Sequence, residues 1–131
     1  MNGYVADTSV FVAAEQSRAL GAPPGGEARI SVATLTELGV GVRRAADPSQ
    51  RRLREATMGH ARRFIALPYD ERVADRLAEL VARARDQGRR AGAMDAIIAA
   101  TALAHGLAVW TQDDDFDVLA ELAPELSVAR G

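Results

Sequence analysis

The strongest constraint on this chain is an alternation that runs along its whole length. Short apolar runs take turns with stretches of helical character. GYVA (3 to 6), ARISV (28 to 32), RFIALP (63 to 68) and LAVWT (107 to 111) read as strands, and LSVA (126 to 129) as a final one. LAVWT is apolar almost throughout, as a strand covered on both faces is. The clearest helix is YDERVADRLAELVARARDQG. Its Val73, Leu77, Leu80, Val81 and Ala84 fall at i, i+4, i+7, i+8 and i+11, one apolar stripe. Asp70 can cap its start and Gly88 its end. MDAIIAATALAHG is a second helix, closed by Gly106. SVFVAAE follows the first strand, with Asp7, Thr8 or Ser9 as cap. ATLTELGVGVRRA reads as a helix that Gly39 and Gly41 weaken, PSQRRLREATMGHARR as one opened by Pro48, and FDVLAEL (116 to 122) as a short last one. Strands alternating with helices predict an α/β fold around a mainly parallel sheet.

Size and composition narrow the chemistry. The 131 residues fit a single domain spanning 1–131, and a 48% hydrophobic content can fill its core. There is no cysteine, so disulfides and thiolate metal sites are excluded. No signal-peptide pattern opens the chain, and no run of about 18 apolar residues occurs, so the expectation is a cytoplasmic protein with no membrane segment. All 16 basic residues are arginine. Without lysine there can be neither the G-K-[ST] of a P-loop nor the late lysine of a phosphate-accepting receiver domain. A haloacid-dehalogenase-like phosphatase wants D-x-D after the first strand, and here the residues are Asp7, Thr8 and Ser9. Charge is segregated. Residues 43 to 63 carry seven arginines against Asp47 and Glu55, whereas residues 113 to 125 carry only acids. For any one cluster a solvated helix face is as good a reading as a binding surface.

The acids are distributed unevenly. Asp7 is the only charged side chain from Met1 to Ala14, and Glu37 the only one from Ile30 to Val42. With His105 neutral, Asp95 is the only one from Ala91 to Gln112. Such stretches are the parts of a chain that become buried, and an isolated buried carboxylate is unfavourable by several kcal/mol. TQDDDFD (111 to 117) does the reverse and crowds Asp113, Asp114, Asp115 and Asp117 at a strand exit. Each acid alone has a plain explanation: Asp7 as a helix cap, Asp113 or Asp114 as a cap for FDVLAEL, Glu37 at a helix edge. Asp95 has no basic partner in range. Together they share a place. In a parallel sheet Asp7 and Asp113 follow strand ends at the carboxyl edge, where helices carrying Glu37 and Asp95 begin and where open α/β folds form their crevice. Carboxylates gathered without histidine or cysteine suit a hard cation, Mg²⁺ or Mn²⁺. His60 and His105 are expected at structural or surface positions, and Trp110 in the core.

These residues carry a resemblance. VADTSV at the start, ISVATLTELGVGV next and GRRAGAMDAIIAATALAHGLAVWTQDDDFD later, in this order and spacing, resemble a PIN-domain ribonuclease of the VapC toxin kind, nearly end to end. The resemblance implies a three-layer α/β/α domain with a central sheet of four or five strands. It implies a Mg²⁺- or Mn²⁺-dependent endoribonuclease acting on structured RNA (tRNA or rRNA) to inhibit translation, with products bearing a 5′-phosphate and a 3′-hydroxyl. By position Asp7, Glu37, Asp95 and Asp113 match the family's four catalytic acids. Asp7, Asp95, Asp113 and Asp115 are the metal candidates, with Asp114 open as an alternative within the acidic run. Thr8, Ser9 and Thr111 match hydroxyl positions beside the metals. The arginines at 43 and 44, at 51 to 54 and at 89 and 90 are candidates for RNA phosphates; Arg43, Arg44, Arg89 and Arg90 carry the expectation. The family also implies a homodimer and a small VapB-type antitoxin. A PIN-like module that binds RNA or protein without cutting, and an RNA-processing nuclease that is not a toxin, are the alternatives. The four acids speak against the first, and the short chain against the second.

Overall fold

In the computed structural model, which describes residues 3–131, the chain runs β1(Gly3–Ala6), α1(Thr8–Glu15), β2(Glu27–Ser31), α2(Val32–Arg43), α3(Pro48–Ala61), β3(Ile65–Leu67), α4(Glu71–Asp86), α5(Ala93–His105), β4(Ala108–Thr111), α6(Phe116–Leu122) and β5(Val128–Arg130). Five strands form one sheet in the order β3-β2-β1-β4-β5, and every pairing is parallel. Each expected element exists. The sheet is wholly rather than mainly parallel.

Successive strand residues face opposite sides, so each central strand feeds two cores. Val5 and Val109 pack with Val73, Leu80, Ile98, Phe116 and Leu119 of α4, α5 and α6. Tyr4, Ala6 and Trp110 pack with Val10, Phe11, Leu38 and Ala61 of α1, α2 and α3. The three layers follow from this. The chain winds from β1 outward through β2 to β3, then returns to the other side of β1 for β4 and β5. Right-handed crossovers in two directions put the two helix sets on opposite faces and leave a crevice beyond the carboxyl ends of β1 and β4.

The element boundaries differ from expectation where side chains intervene. β2 stops at Ser31 because the Ser31 hydroxyl accepts the Ala33 N–H at 3.0 Å and caps α2. Leu107 lies in the turn that closes α5, outside β4. Gly106 takes a left-handed φ of 65°, and the Leu107 N–H closes on the Ala102 carbonyl at 2.9 Å. β5 starts at Val128 because pairing with β4 begins only where the Val109 N–H reaches the Ser127 carbonyl. α2 runs straight through Gly39 and Gly41. A Cβ at Gly39 would lie 3.3 Å from the Arg43 guanidinium and 3.7 Å from Met58, so packing of α2 on α3 overrides propensity there. Trp110 is in the core, 8% exposed. His60 stacks edge-on against Phe11 and Phe64, and His105 faces Arg72.

Candidate active site

Asp7 stands where β1 becomes α1. It is the N-cap of α1, and of the three cap candidates it alone takes that role. Only 3% of it is exposed. Its Oδ2 accepts from Ser9 Oγ at 2.7 Å, from Thr111 Oγ1 at 3.0 Å and from the Ser9 N–H at 3.3 Å. Three donors on one oxygen fix the carboxylate plane. Ser9 Oγ in turn accepts the Gln112 N–H at 2.9 Å, which ties the β4 exit to the β1 exit.

Glu37 lies on α2, half-buried. Its Oε1 is 2.6 Å from Thr8 Oγ1, and Thr8 Oγ1 is 3.0 Å from Thr34 Oγ1. Thr8 has one proton and a carboxylate only accepts, so the Thr8 proton goes to Glu37 and Thr34 supplies the second bond. Thr34 is fully buried and was absent from the sequence expectations. A threonine within a helix carries no local signal, and its partner is 26 residues away.

Asp95 sits in the first turn of α5, close to the Gly92 N-cap. No hydrogen bond to its side chain is found among the described residues. One carboxylate oxygen from each of Asp7, Glu37 and Asp95 lies within 4.8 Å of the others. None of the three enters an ion pair among the described residues.

The electrostatics follow. Burial pushes the Asp95 carboxyl up to about 7, and the charges of Asp7, Asp115, Glu37 and Asp113 add to it. Asp7 is also raised, first by burial and then by Asp113, with the hydrogen bonds from Ser9 and Thr111 opposing. Glu37 is raised by burial, against the Thr8 bond. Asp7 is the most buried of the three, yet Asp95 is the carboxyl pushed up to about 7. Asp7 has donors for its charged form and Asp95 has none.

The acidic run divides. Asp113 is half-buried; its Oδ1 accepts the Asp115 N–H at 3.1 Å and lies 3.5 Å from Thr111 Oγ1. It therefore flanks Asp7 through Thr111 and stands outside the tight trio. Asp115 is exposed, but its charge reaches Asp95. Asp114 and Asp117 pair with Arg130 of β5 at 2.9 and 3.1 Å. Neither Asp113 nor Asp114 caps α6 with its side chain; the N-cap position is Asp115, with no side-chain bond.

The arginines divide too. The Arg43 guanidinium turns back to the Gly39 carbonyl at 3.1 Å. Arg89 pairs with Glu121 at 2.8 Å, and Arg90 borders an apolar groove between α4 and α5. Arg44, with Arg54, lines the cleft that contains Thr8 and Glu37.

The family model described as "PIN domain" matches residues 4–122. The chain belongs to the PIN-domain family. Its relatives are specific within it. Ribonuclease VapC4 of Mycobacterium tuberculosis is 40% identical over 122 residues, covering 90% of this chain and 92% of the relative. Ribonuclease VapC5 of the same organism is 41% identical over 121 residues, covering 88% and 86%. Among solved structures, VapBC-5 of M. tuberculosis, a member of the VapBC family of toxin–antitoxin systems, superposes with a TM-score of 0.88 at 35% identity over 98% of each chain. VapBC2 of Rickettsia felis, bound to a promoter DNA fragment, gives 0.80 at 18% identity over 98% of each chain and supports the PIN fold alone. The chain is thus a VapC-like PIN domain, and no helix among its described residues is long and apolar enough to cross a membrane.

Proposed function

We propose that this chain is a divalent-metal-dependent endoribonuclease and the toxin of a VapBC-type pair. The observation that carries the reading is the trio itself: three carboxylates from three separated segments, with oxygens within 4.8 Å and none of them in an ion pair among the described residues. Such a set is repulsive unless a positive ion joins it, and an all-oxygen donor set fits Mg²⁺ or Mn²⁺. Asp7, Glu37 and Asp95 would hold that ion, with Asp113 and Asp115 at its margin. A divalent cation there supplies charge neutralisation for the scissile phosphate and activation of water.

The chain's own residues do the rest. Ser9 and Thr111 hold Asp7 by Oδ2. Thr34 and Thr8 hold Glu37 by Oε1. Asp95, pushed up to about 7, is partly protonated near neutral pH while the site is metal-free, and the protonated fraction must release its proton to act as a ligand. The substrate is a structured RNA such as tRNA or rRNA, and the setting is the cytoplasm. A VapB-type antitoxin is the expected partner, because the relatives at 40% identity are VapC ribonucleases and a structural neighbour comes from a toxin–antitoxin system, and a second copy of the chain is proposed beside it. The test is direct: purified chain should cut structured RNA in Mg²⁺ or Mn²⁺ and stop in EDTA.

Two further results are expected. Ion binding should release a proton, so apparent affinity should rise as pH climbs through 7 and level off above it. Calorimetry in buffers of different ionisation enthalpy measures this, and a pH-independent affinity with no proton release would remove Asp95 from the ligand set. Thr34→Val keeps shape but breaks the relay to Glu37. It should lower cleavage by roughly 10–100-fold, the usual scale for groups that orient a ligand. Thr34→Ser should recover most of it.

A further inference from the structure

A cleft of about 310 Å³ between α1, α2 and α3 is lined by Thr8 and Glu37 of the acidic site and by Arg44 and Arg54. Arg54 is held in place: its Nη1 donates to the Gly41 carbonyl at 2.7 Å, and its Cδ lies within van der Waals reach of a Cβ placed at Gly41. One hydrogen bond to a carbonyl leaves the other guanidinium N–H groups to point elsewhere. Arg44, at the C-cap of α2, is exposed. Neither arginine pairs with an acid among the described residues, whereas Arg29, Arg51, Arg76, Arg83, Arg89 and Arg130 all do. Glu15 also lines the cleft and accepts from Thr57 Oγ1 at 2.7 Å; with Glu37 it equals the two arginines in formal charge, and a cation held at Glu37 would leave the cleft net positive.

Resting on the nuclease reading, we infer that Arg44 and Arg54 form a phosphate subsite for the RNA strand next to the scissile bond. Two guanidiniums without carboxylate partners, one of them pre-oriented, match a phosphodiester oxygen pair by bidentate bonds. The cleft takes in Glu37, one of the carboxylates that would hold the metal facing the reacting phosphate. A strand threaded through it presents its next phosphate to the arginines. This favours RNA over a protein segment, which has no charge required at that spacing. It also separates these two residues from Arg89, whose guanidinium pairs with Glu121, and from Arg43, which lines other grooves between α2 and α3 and not this cleft.

The test uses a fluorescein-labelled RNA hairpin and full-length protein carrying Asp95→Asn, so that binding is read without cutting. Fluorescence anisotropy is followed across a salt series for Arg44→Ala, Arg54→Ala and Arg54→Lys. Arg63→Ala is the control, at the start of the segment entering β3 and away from the cleft. Each alanine change should weaken binding roughly tenfold, the scale of a hydrogen bond to a charged group, and lower the log–log salt slope by about 0.7–0.9. Arg54→Lys should recover only part, since an ammonium cannot grip bidentately. Unchanged affinity and slope in both alanine variants would overturn the subsite, whether or not binding of a protein partner is lost with them. Arg44 is exposed and its removal leaves the core intact, so that variant decides the matter if Arg54→Ala fails to fold. Cleavage by the unmutated chain is measured in parallel. Its absence counts against the nuclease reading, while normal cleavage with unaffected arginine variants counts against the subsite alone.

Discussion

Asp95→Asn protein should keep its fold and lose cleavage of a structured RNA by more than about 100-fold, because changes to groups that merely orient a metal ligand already cost roughly 10–100-fold. Asp7→Asn and Glu37→Gln should do the same. In each the trio loses a charge while its shape is nearly kept, so the loss falls on the ion and not on packing. Asp113→Asn should also be severely impaired, since it borders Asp7 through Thr111 and its charge is felt by all three acids. Asp114→Asn and Asp117→Asn should stay active, because both side chains face Arg130. Losses should not add, since a site lacking one ligand is already disabled. Single-turnover cleavage in Mn²⁺, checked by circular dichroism, reads all six. Metal-independent cutting that survives in the Asp7 and Asp95 variants would sink the nuclease reading.

The fold was legible because its signals are periodic. The α4 stripe, the apolar β4 run and the strand–helix alternation each follow from local pattern, and all appear where expected. The acids were legible for another reason. A lone carboxylate within an uncharged stretch contradicts the burial around it, and Asp7, Glu37 and Asp95 all do so. What stayed illegible depends on long-range contact. Which aspartate of the acidic run faces the site turns on Arg130, a residue of the strand whose start lay two residues from expectation. Thr34 is one hydroxyl among many in the sequence, and only the meeting of α1 with α2 gives it a partner. The arginines are the same case. Nothing local separates Arg43 from Arg44, yet one folds back on its own helix and the other lines the cleft.

Without metal, Asp95→Asn should make the protein more stable at pH 8 and leave its stability unchanged near pH 4. The sign follows from linkage. The folded Asp95 carboxyl titrates at about 7, whereas an unfolded aspartate titrates near about 3.9. The folded state therefore holds the proton more tightly, and stability is lost as pH rises from the unfolded value through the folded one. Below that window both states are protonated and asparagine changes little; above it the folded chain bears a carboxylate it disfavours. The full shift corresponds to roughly 4 kcal/mol, and because the side chain is partly solvated the gain on removal should be about 1–3 kcal/mol. Asp7→Asn should behave differently. Asp7 is a helix cap that accepts three hydrogen bonds, and asparagine retains an acceptor oxygen and caps as well as aspartate. Its release from burial and its weakened bonds should nearly cancel. Adding Mg²⁺ should reverse the order for Asp95, raising the melting temperature of the unmutated chain and not that of the variant. Urea and thermal melts in EDTA at pH 4, 6 and 8 decide it. A loss of stability in Asp95→Asn at pH 8 would mean that the carboxylate is paired or capping in the folded state, and the trio would then be a structural feature with no unbalanced charge for an ion to relieve.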